Sequence, residues 1–118
     1  MSTHHAIDYV ELPAPDLAAA KAFYGSAFGW SFTDYGDAYV GFSSNGSGEE
    51  DGGLDPTGTP RADGGPLVQV YSDDLEATVE AVLAAGGTVT VPPFTFPGGR
   101  RFAFTDPAGN QLGAWSRG

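Results

Sequence analysis

The sequence predicts an α+β fold in which two tandem βαβββ modules form a curved mixed sheet around a cleft. The main observation is an internal repeat: residues 9–17 and 67–75 share one layout, a short alternating run that leads into an acidic helix start. The copies lie 58 positions apart in a chain of 118 residues, and a long period seen only twice is not a solenoid. This length suffices for one shared core but not for two independent domains. We therefore predict a single domain over 1–118, with a first module at about 5–55, a linker at about 56–65 and a second module at about 66–117.

The strand and helix that open the first module are defined by clear signals. Alternation of apolar and polar residues over 7–12 predicts a strand, which Pro13 ends. Asp16 is predicted to cap a helix over 17–28, because its carboxylate can accept the free N–H groups of the first turn. Gly29 is predicted to end this helix, since glycine readily adopts the left-handed conformation common at helix C-termini.

The remaining elements follow the same order in both halves. The second helix is predicted to begin after Asp73 or Asp74, where Asp73 would place Glu76 at the reciprocal capping-box position, and to end at Gly86-Gly87. Alternation and turn residues predict strands over 30–35, 38–43, 52–54, 66–72, 88–91, 101–105 and 111–115.

Composition limits the classes of function. The chain has 15 acidic and 5 basic residues, a net charge of −10, and an anionic surface of this kind repels nucleic acid. There is no cysteine, which excludes disulfides and thiol catalysis. No apolar run reaches the roughly 18–20 residues that span a membrane, so we expect no membrane partner and a cytoplasmic location. The only adjacent basic pair is Arg100-Arg101, which is either an anion-binding loop or a solvated turn that enters a strand.

A ligand-binding cleft is predicted on the sheet faces that the helices leave open. Each module has one helix, which can cover only one face of its sheet. Alternation assigns Val10, Leu12, Val68 and Val70 to the helix side. The predicted cleft residues are Tyr9, Glu11, Tyr39, Gln69, Tyr71, Phe102, Phe104, Gln111 and Trp115. Aromatic walls with a few polar groups are typical of small-molecule sites, although the same aromatics could form core between the sheets or a dimer interface.

Several short motifs in this order resemble the vicinal oxygen chelate superfamily, the glyoxalase, bleomycin resistance protein and dioxygenase family. They cover most of the chain outside residues 44–65. The motifs are Asp16-Leu17, Lys21-Ala22-Phe23-Tyr24, Phe28-Gly29-Trp30, Asp73-Asp74-Leu75 and Asp106-Pro107-Ala108-Gly109-Asn110. The resemblance implies paired βαβββ modules, often a dimer, and in the enzymes a divalent metal held by four side chains from the sheets.

The positions that match the family's metal ligands depart from the family pattern. They carry Tyr9, Leu67, Gly113 and, in the best alignment, Gly53; Glu49 and Asp55 are the nearest carboxylates to the last of these. Leucine and glycine offer no donor atom, and the pair Glu11 and Gln69 would hold a metal poorly by itself. We therefore expect no metal and no other cofactor, and no catalytic residue is identified.

The resulting hypothesis is a homodimeric small-molecule-binding protein without a metal. The bleomycin resistance proteins of the family suggest sequestration of a cationic or aromatic compound. The alternative is a divalent-metal-dependent glyoxalase-like lyase or isomerase, or a dioxygenase, with atypical ligands. A third hypothesis is a structural or regulatory dimer whose cleft is filled by its own side chains.

Overall fold

Each half of the chain folds as a strand, a helix and three strands in the computed structural model, which describes residues 2–118. The first half contains β1 (Val10–Pro13), α1 (Leu17–Phe28), β2 (Ser31–Tyr35), β3 (Tyr39–Ser43) and β4 (Gly52–Asp55). The second contains β5 (Gln69–Tyr71), α2 (Leu75–Ala84), β6 (Thr88–Phe96), β7 (Gly99–Thr105) and β8 (Gln111–Ser116). The predicted α+β class and the repeated βαβββ order are confirmed.

The strands form two four-stranded sheets of equivalent topology, in the orders β1-β4-β3-β2 and β5-β8-β7-β6. In each sheet the first strand of the module pairs in parallel with the last, and the other pairs are antiparallel. Glu11 lies opposite Gly53 in the first sheet, and Gln69 lies opposite Gly113 in the second. β1 and β5 are therefore edge strands, and a groove runs between them.

The helix caps follow the repeated acidic signal. The side chain of Asp16 accepts a hydrogen bond from the Ala19 N–H at 3.0 Å, and that of Asp74 accepts one from the Ala77 N–H at 3.1 Å. Asp74, rather than Asp73, therefore caps α2. Gly29 ends α1 with φ of 71°, as predicted.

The buried core is shared by both modules and takes in two residues that were predicted to line the cleft. Phe102 and Phe104 are 1% and 0% exposed, and the Phe104 ring lies 5.8 Å from that of Phe28 on α1. Their cross-strand partners Ala114 and Leu112 are also buried. The cleft assignment of Phe102 and Phe104 was wrong, because this face of β7 packs beneath the helices and the alternate residues face outward.

The strand predictions differ from the structure in their bounds, by one residue for β2, β3, β4 and β8 and by two or more for β1, β5, β6 and β7. β5 covers only Gln69–Tyr71 of the predicted 66–72, and β7 begins at Gly99 rather than at residue 101. The first strand begins at Val10 rather than at residue 7, and Ile7 is 92% exposed. β6 continues to Phe96 instead of ending at residue 91. It accommodates Pro92 and Pro93 because it is an edge strand whose register with β7 shifts in this region, and edges and bulges tolerate proline. Neither helix of the described residues is long and apolar enough to cross a membrane.

Candidate functional site

The turn between β7 and β8 fixes the two modules against each other. Tyr24 on α1 donates a hydrogen bond from its hydroxyl to Asp106 Oδ2 at 2.7 Å. Asp106 Oδ1 accepts hydrogen bonds from the N–H groups of Gly109 and Asn110, both at 2.9 Å. The Asn110 amide donates to the carbonyl of Pro13, at the end of β1, at 2.6 Å. The second module therefore holds both α1 and β1 of the first through a buried polar network.

Burial raises the pKa of the Tyr24 hydroxyl well above its usual range, and the neighbouring Asp106 carboxylate raises it further. The tyrosine therefore stays protonated and serves as a fixed donor between the modules. Because these bonds set the position of β1 relative to β8, they also set the width of the groove beside β1.

We call the space between β1 and β5 the seam groove. It consists of two adjoining cavities of about 370 and 330 Å³ that share Val10, Leu12 and Val68 in their walls. Each volume falls in the range of small-molecule sites, roughly 300–1,000 Å³. The groove is therefore a concave site formed by both modules.

The two cavities of the seam groove have different chemical character. The first is lined by Glu11, Gln111 and Leu67 together with part of the linker, including Arg61. The second contains the aromatic rings described next, with Gln69 at its border. Glu11, Gln111 and Gln69 were all predicted cleft residues, and the structure places them along this one groove.

The second cavity has an aromatic wall that sequence reasoning missed. The rings of Trp30 and Phe42 stack with centroids 4.5 Å apart and planes 19° apart. Tyr71 lines the same cavity, and so does Asp51, whose carboxylate accepts a hydrogen bond from the Ser44 N–H at 2.9 Å. Trp30 lies directly after the helix-ending glycine, and Phe42 lies two residues after Val40, on the same buried face of β3. The sequence pattern indicates core for both residues, and only the gap between the edge strands exposes them to a cavity.

Three predicted residues form a hydrogen-bonded cluster on the open face of the first sheet. The Tyr39 hydroxyl donates to Glu11 Oε2 at 2.8 Å and lies 2.9 Å from the Tyr9 hydroxyl. Burial raises the pKa of Tyr39, and its hydrogen bonds to Tyr9 and Glu11 raise it further. Beside this cluster the Tyr35 hydroxyl donates to Glu50 Oε1. The cluster fixes the Glu11 carboxylate at the edge of the seam groove.

Two glycines make room for these side chains. A methyl group added to Gly53 would overlap the Tyr39 hydroxyl and lie 2.7 Å from the Tyr9 hydroxyl. One added to Gly41 would overlap the Glu50 carboxylate. The absence of a side chain at both positions is therefore a steric requirement of this arrangement.

The residues present do not fit the four-ligand metal centre that the family resemblance implies. The Gly53 position is filled by the tyrosine hydroxyls, and Gly113 lies under the side chain of Gln69, whose Oε1 would be 3.2 Å from an added methyl group. Leu67 offers no donor atom. Within residues 2–118, no three His, Cys, Asp or Glu side chains come together in a way that could hold a metal ion.

The remaining predicted aromatics lie on the open face of the second sheet. The rings of Tyr71 and Trp115 meet edge to face at 5.1 Å. The guanidinium of Arg117 lies 4.9 Å from the Tyr71 ring centroid and 5.2 Å from that of Trp115. The predicted site residues are thus divided among the seam groove, the tyrosine cluster beside it, this aromatic surface and the core.

Comparison with known proteins agrees with this architecture. The family model for the Glyoxalase/Bleomycin resistance protein/Dioxygenase superfamily matches residues 6–113. The chain therefore belongs to this superfamily.

Two solved structures share its fold. One is a glyoxalase/bleomycin resistance protein/dioxygenase family enzyme from Burkholderia phytofirmans PsJN, with a TM-score of 0.74, 21% identity and coverage of 93% of this chain and 97% of the other. The other is TnmS3, an antibiotic binding protein from Streptomyces sp. CB03234, with a TM-score of 0.71, 24% identity and 98% coverage of both chains.

Curated relatives are similar in sequence over almost the whole chain. CFP32 of Mycobacterium tuberculosis, whose name contains the word glyoxylase, is 34% identical over 117 residues, which cover 92% of this chain and 44% of that protein. The anthracycline biosynthesis protein DnrV of Streptomyces peucetius is 33% identical over 127 residues, which cover 93% of this chain and 46% of that protein. The chain thus spans about half the length of these curated relatives.

Proposed function

We propose that this chain binds a small aromatic molecule with a positive charge in the seam groove and sequesters it without a coordinated metal. The observation that carries the proposal is the groove itself, in which apolar and aromatic walls from both modules meet two carboxylates held by hydrogen bonds, Glu11 at the first cavity and Asp51 at the second. The aromatic wall of the second cavity offers a stacking surface for a flat ring. Glu11 at the first cavity offers a charge-assisted hydrogen bond to a cationic group.

The position of Glu11 supports a binding role. One of its oxygens, Oε2, accepts the Tyr39 hydroxyl, which restricts the rotation of the side chain. The other oxygen has no hydrogen-bond partner among the described residues. A carboxylate held in this way loses little side-chain entropy when a cationic ligand binds, so more of the interaction contributes to affinity.

The comparisons support the same proposal without fixing the ligand. TnmS3 is described as an antibiotic binding protein, and DnrV is named for anthracycline biosynthesis. The net charge of −10 would also attract a cationic compound. An aromatic antibiotic or a related cationic metabolite is the ligand class that these features favour.

The donor set favours binding over metal-dependent conversion. A catalytic zinc site holds its metal with three protein ligands and leaves one coordination position open for water or substrate. Gly53, Leu67 and Gly113 supply none of these ligands. We therefore propose no cofactor for this site.

We further propose that the protein is a homodimer, as the family resemblance implies. β1 and β5 are edge strands, and Leu67, which precedes β5, is 45% exposed. Light scattering coupled to size-exclusion chromatography tests the assembly. A mass of 12.2 kDa would identify a monomer and contradict this part of the proposal.

The binding proposal is tested with a charge-matched pair of probes. We expect the cation 9-aminoacridine to bind more tightly than its neutral parent, acridine, in fluorescence titrations. Glu11→Gln should weaken 9-aminoacridine binding by about tenfold, the effect of losing one charge-assisted hydrogen bond, and should leave acridine binding unchanged. Glu50→Gln is the control, because Glu50 lies on the same sheet face but does not line the groove.

Two results would contradict the proposal. One is an equal loss of affinity for 9-aminoacridine in Glu11→Gln and Glu50→Gln, which would show that only the overall charge of the protein matters. The other is turnover of the methylglyoxal–glutathione adduct that is stimulated by added zinc or nickel, which would favour the metal-dependent lyase.

A further inference from the structure

The open face of the second sheet carries a continuous row of cross-strand neighbours. Tyr71 on β5 lies opposite Trp115 on β8, Trp115 lies opposite Arg101 on β7, and Arg101 lies opposite Phe94 on β6. We call these four residues the arginine–aromatic row. Opposite residues in neighbouring strands point to the same side of a sheet, so all four side chains occupy one surface.

Stacking holds two guanidinium groups on this surface. The Arg101 guanidinium lies 5.2 Å from the Phe94 ring centroid and 5.4 Å from that of Phe96. Arg117 lies over Tyr71 and Trp115 at the other end of the row. Guanidinium stacking on an aromatic face leaves the in-plane N–H groups free to donate.

The charges of these two arginines are not neutralised within the chain. Lys21 is paired with Asp34 at 2.8 Å, and Arg100 is paired with Glu76 at 2.6 Å. Arg101 and Arg117 form no ion pair and no side-chain hydrogen bond among the described residues. In a chain with only 5 basic residues, two free guanidiniums thus lie on one aromatic surface.

The surface is accessible and lies outside the seam groove except at one end. Tyr71 is 42% exposed and Phe94 is 39% exposed. Tyr71 also lines the second cavity, whereas Trp115, Arg101 and Phe94 line neither cavity. The row is therefore a separate surface with a charge preference opposite to that of the groove.

We propose that the arginine–aromatic row is a second binding site, which takes a small, flat aromatic carboxylate. The guanidiniums suit the carboxylate because their forked N–H groups match its two oxygens. Tyr71 and Phe94, which are 42% and 39% exposed, provide aromatic surface beside the guanidiniums against which the ligand's ring packs. This inference does not depend on a ligand in the seam groove.

The test measures the binding of anthracene-9-carboxylate, a fluorescent aromatic anion. It compares substitutions of two neighbouring arginines, Arg101 and Arg100, as a matched pair of variants. We expect Arg101→Gln to weaken its binding by about tenfold, as for the loss of one charge-assisted contact. Arg100→Gln removes the same charge one residue away, but Arg100 is paired with Glu76 on α2, so binding should be unchanged. Glu11→Gln should also leave anthracene-9-carboxylate binding unchanged, which separates this inference from the proposed function.

The 2 tryptophans of the chain report on the two sites separately, since Trp30 lines the groove and Trp115 lies in the row. In the Trp30→Phe variant, anthracene-9-carboxylate should quench the fluorescence of Trp115. In the Trp115→Phe variant, the quenching of Trp30 should be weaker, because Trp30 lies in the second cavity, which meets the row only at Tyr71. Failure of the anion to bind the wild-type protein, or equal weakening by the Arg100 and Arg101 variants, would overturn the inference. So would conversion of a dimer to a monomer by Arg101→Gln, which would assign the row to an interface between two copies of the chain.

Discussion

Tyr24 and Asp106 are 82 positions apart in sequence, yet the tyrosine hydroxyl donates a 2.7 Å hydrogen bond to the Asp106 carboxylate in the interior. Tyr24 is 0% exposed and Asp106 is 5% exposed. The bond links the helix of one module to the last turn of the other. The bond gives a structural role to the motifs Lys21-Ala22-Phe23-Tyr24 and Asp106-Pro107-Ala108-Gly109-Asn110, which the sequence alone identifies only as signs of family resemblance.

Removal of the Tyr24 hydroxyl should destabilise the protein. Tyr24→Phe leaves Asp106 with one fewer donor in a buried site, and such losses cost about 1–3 kcal/mol. The free energy of unfolding, measured by urea denaturation, should fall by this amount. Tyr35→Phe is the matched control: it removes the hydroxyl that donates to Glu50, but Tyr35 is 53% exposed and water replaces the bond. Equal urea midpoints for the two variants would show that the Tyr24 bond does not hold the modules together.

Alkaline pH should destabilise the protein through the same residue. The pKa of Tyr24 is raised above its usual value of 10.0, first by burial and then by Asp106, so the folded state keeps a proton that the unfolded chain releases. The stabilising contribution is complete below pH 10 and is lost as the pH rises further, by up to about 1.4 kcal/mol per pH unit. Urea unfolding at several pH values above 9 measures this slope. Tyr24→Phe should reduce the slope of the free energy of unfolding against pH by up to the contribution of one proton. An unchanged slope would assign the loss of stability at alkaline pH to other groups.

Gly25 within α1 and Gly29 directly after it should respond to alanine in opposite directions. Gly25 lies within the helix, and a methyl group there would make only an ordinary 3.4 Å contact with Phe32. Gly25→Ala should therefore stabilise the protein by about 0.5–1 kcal/mol. Gly29 has φ of 71°, so Gly29→Ala should destabilise by about 1–2 kcal/mol. Thermal unfolding of both variants checks the signs, and a loss of stability in Gly25→Ala would contradict the packing described around α1.

The neighbouring glycines of β4 should differ in severity. A methyl group on Gly52 would overlap the Phe42 ring and the Val10 carbonyl in the interior, whereas one on Gly53 would meet the hydroxyl at the end of the Tyr39 side chain, which can move aside. Gly52→Ala should cost about 1–3 kcal/mol of stability through overpacking, and Gly53→Ala should cost less. Gly53→Ala should nevertheless weaken 9-aminoacridine binding, because it displaces the hydroxyl that fixes Glu11. Gly53→Ala should cost less stability in a Tyr39→Ala background than in the wild-type protein, and an equal cost in both backgrounds would contradict the proposed overlap.

Much of the fold could be predicted because its signals are local and occur twice. The bounds of α1 match the prediction, since Asp16 and Gly29 act through their own backbone and its immediate neighbours. In the second module the residues 86–87 were correctly expected to end the helix, but α2 has 10 residues against 12 in α1. The left-handed residue is therefore Gly86, with φ of 99°, rather than the repeat-aligned Gly87.

The candidate site was less predictable because it depends on how the sheets pack. Alternation shows that Phe102 and Phe104 share a face of β7, but it does not reveal which face the helices cover. The roles of Trp30 and Phe42 depend on the gap between β1 and β5, which joins residues distant in sequence. Arg101 was considered only as part of a basic pair. Its stacking on Phe94 depends on the irregular register between β6 and β7. The alternation of residues within either strand does not reveal that register.

The central claim, ligand binding without a coordinated metal, is tested most directly by one combined measurement. The purified protein is dialysed against zinc and then nickel, its metal content is determined by mass spectrometry, and 9-aminoacridine is titrated before and after chelation. We predict substoichiometric metal and the same dissociation constant in both titrations. A stoichiometric divalent ion whose removal abolishes binding would contradict the account.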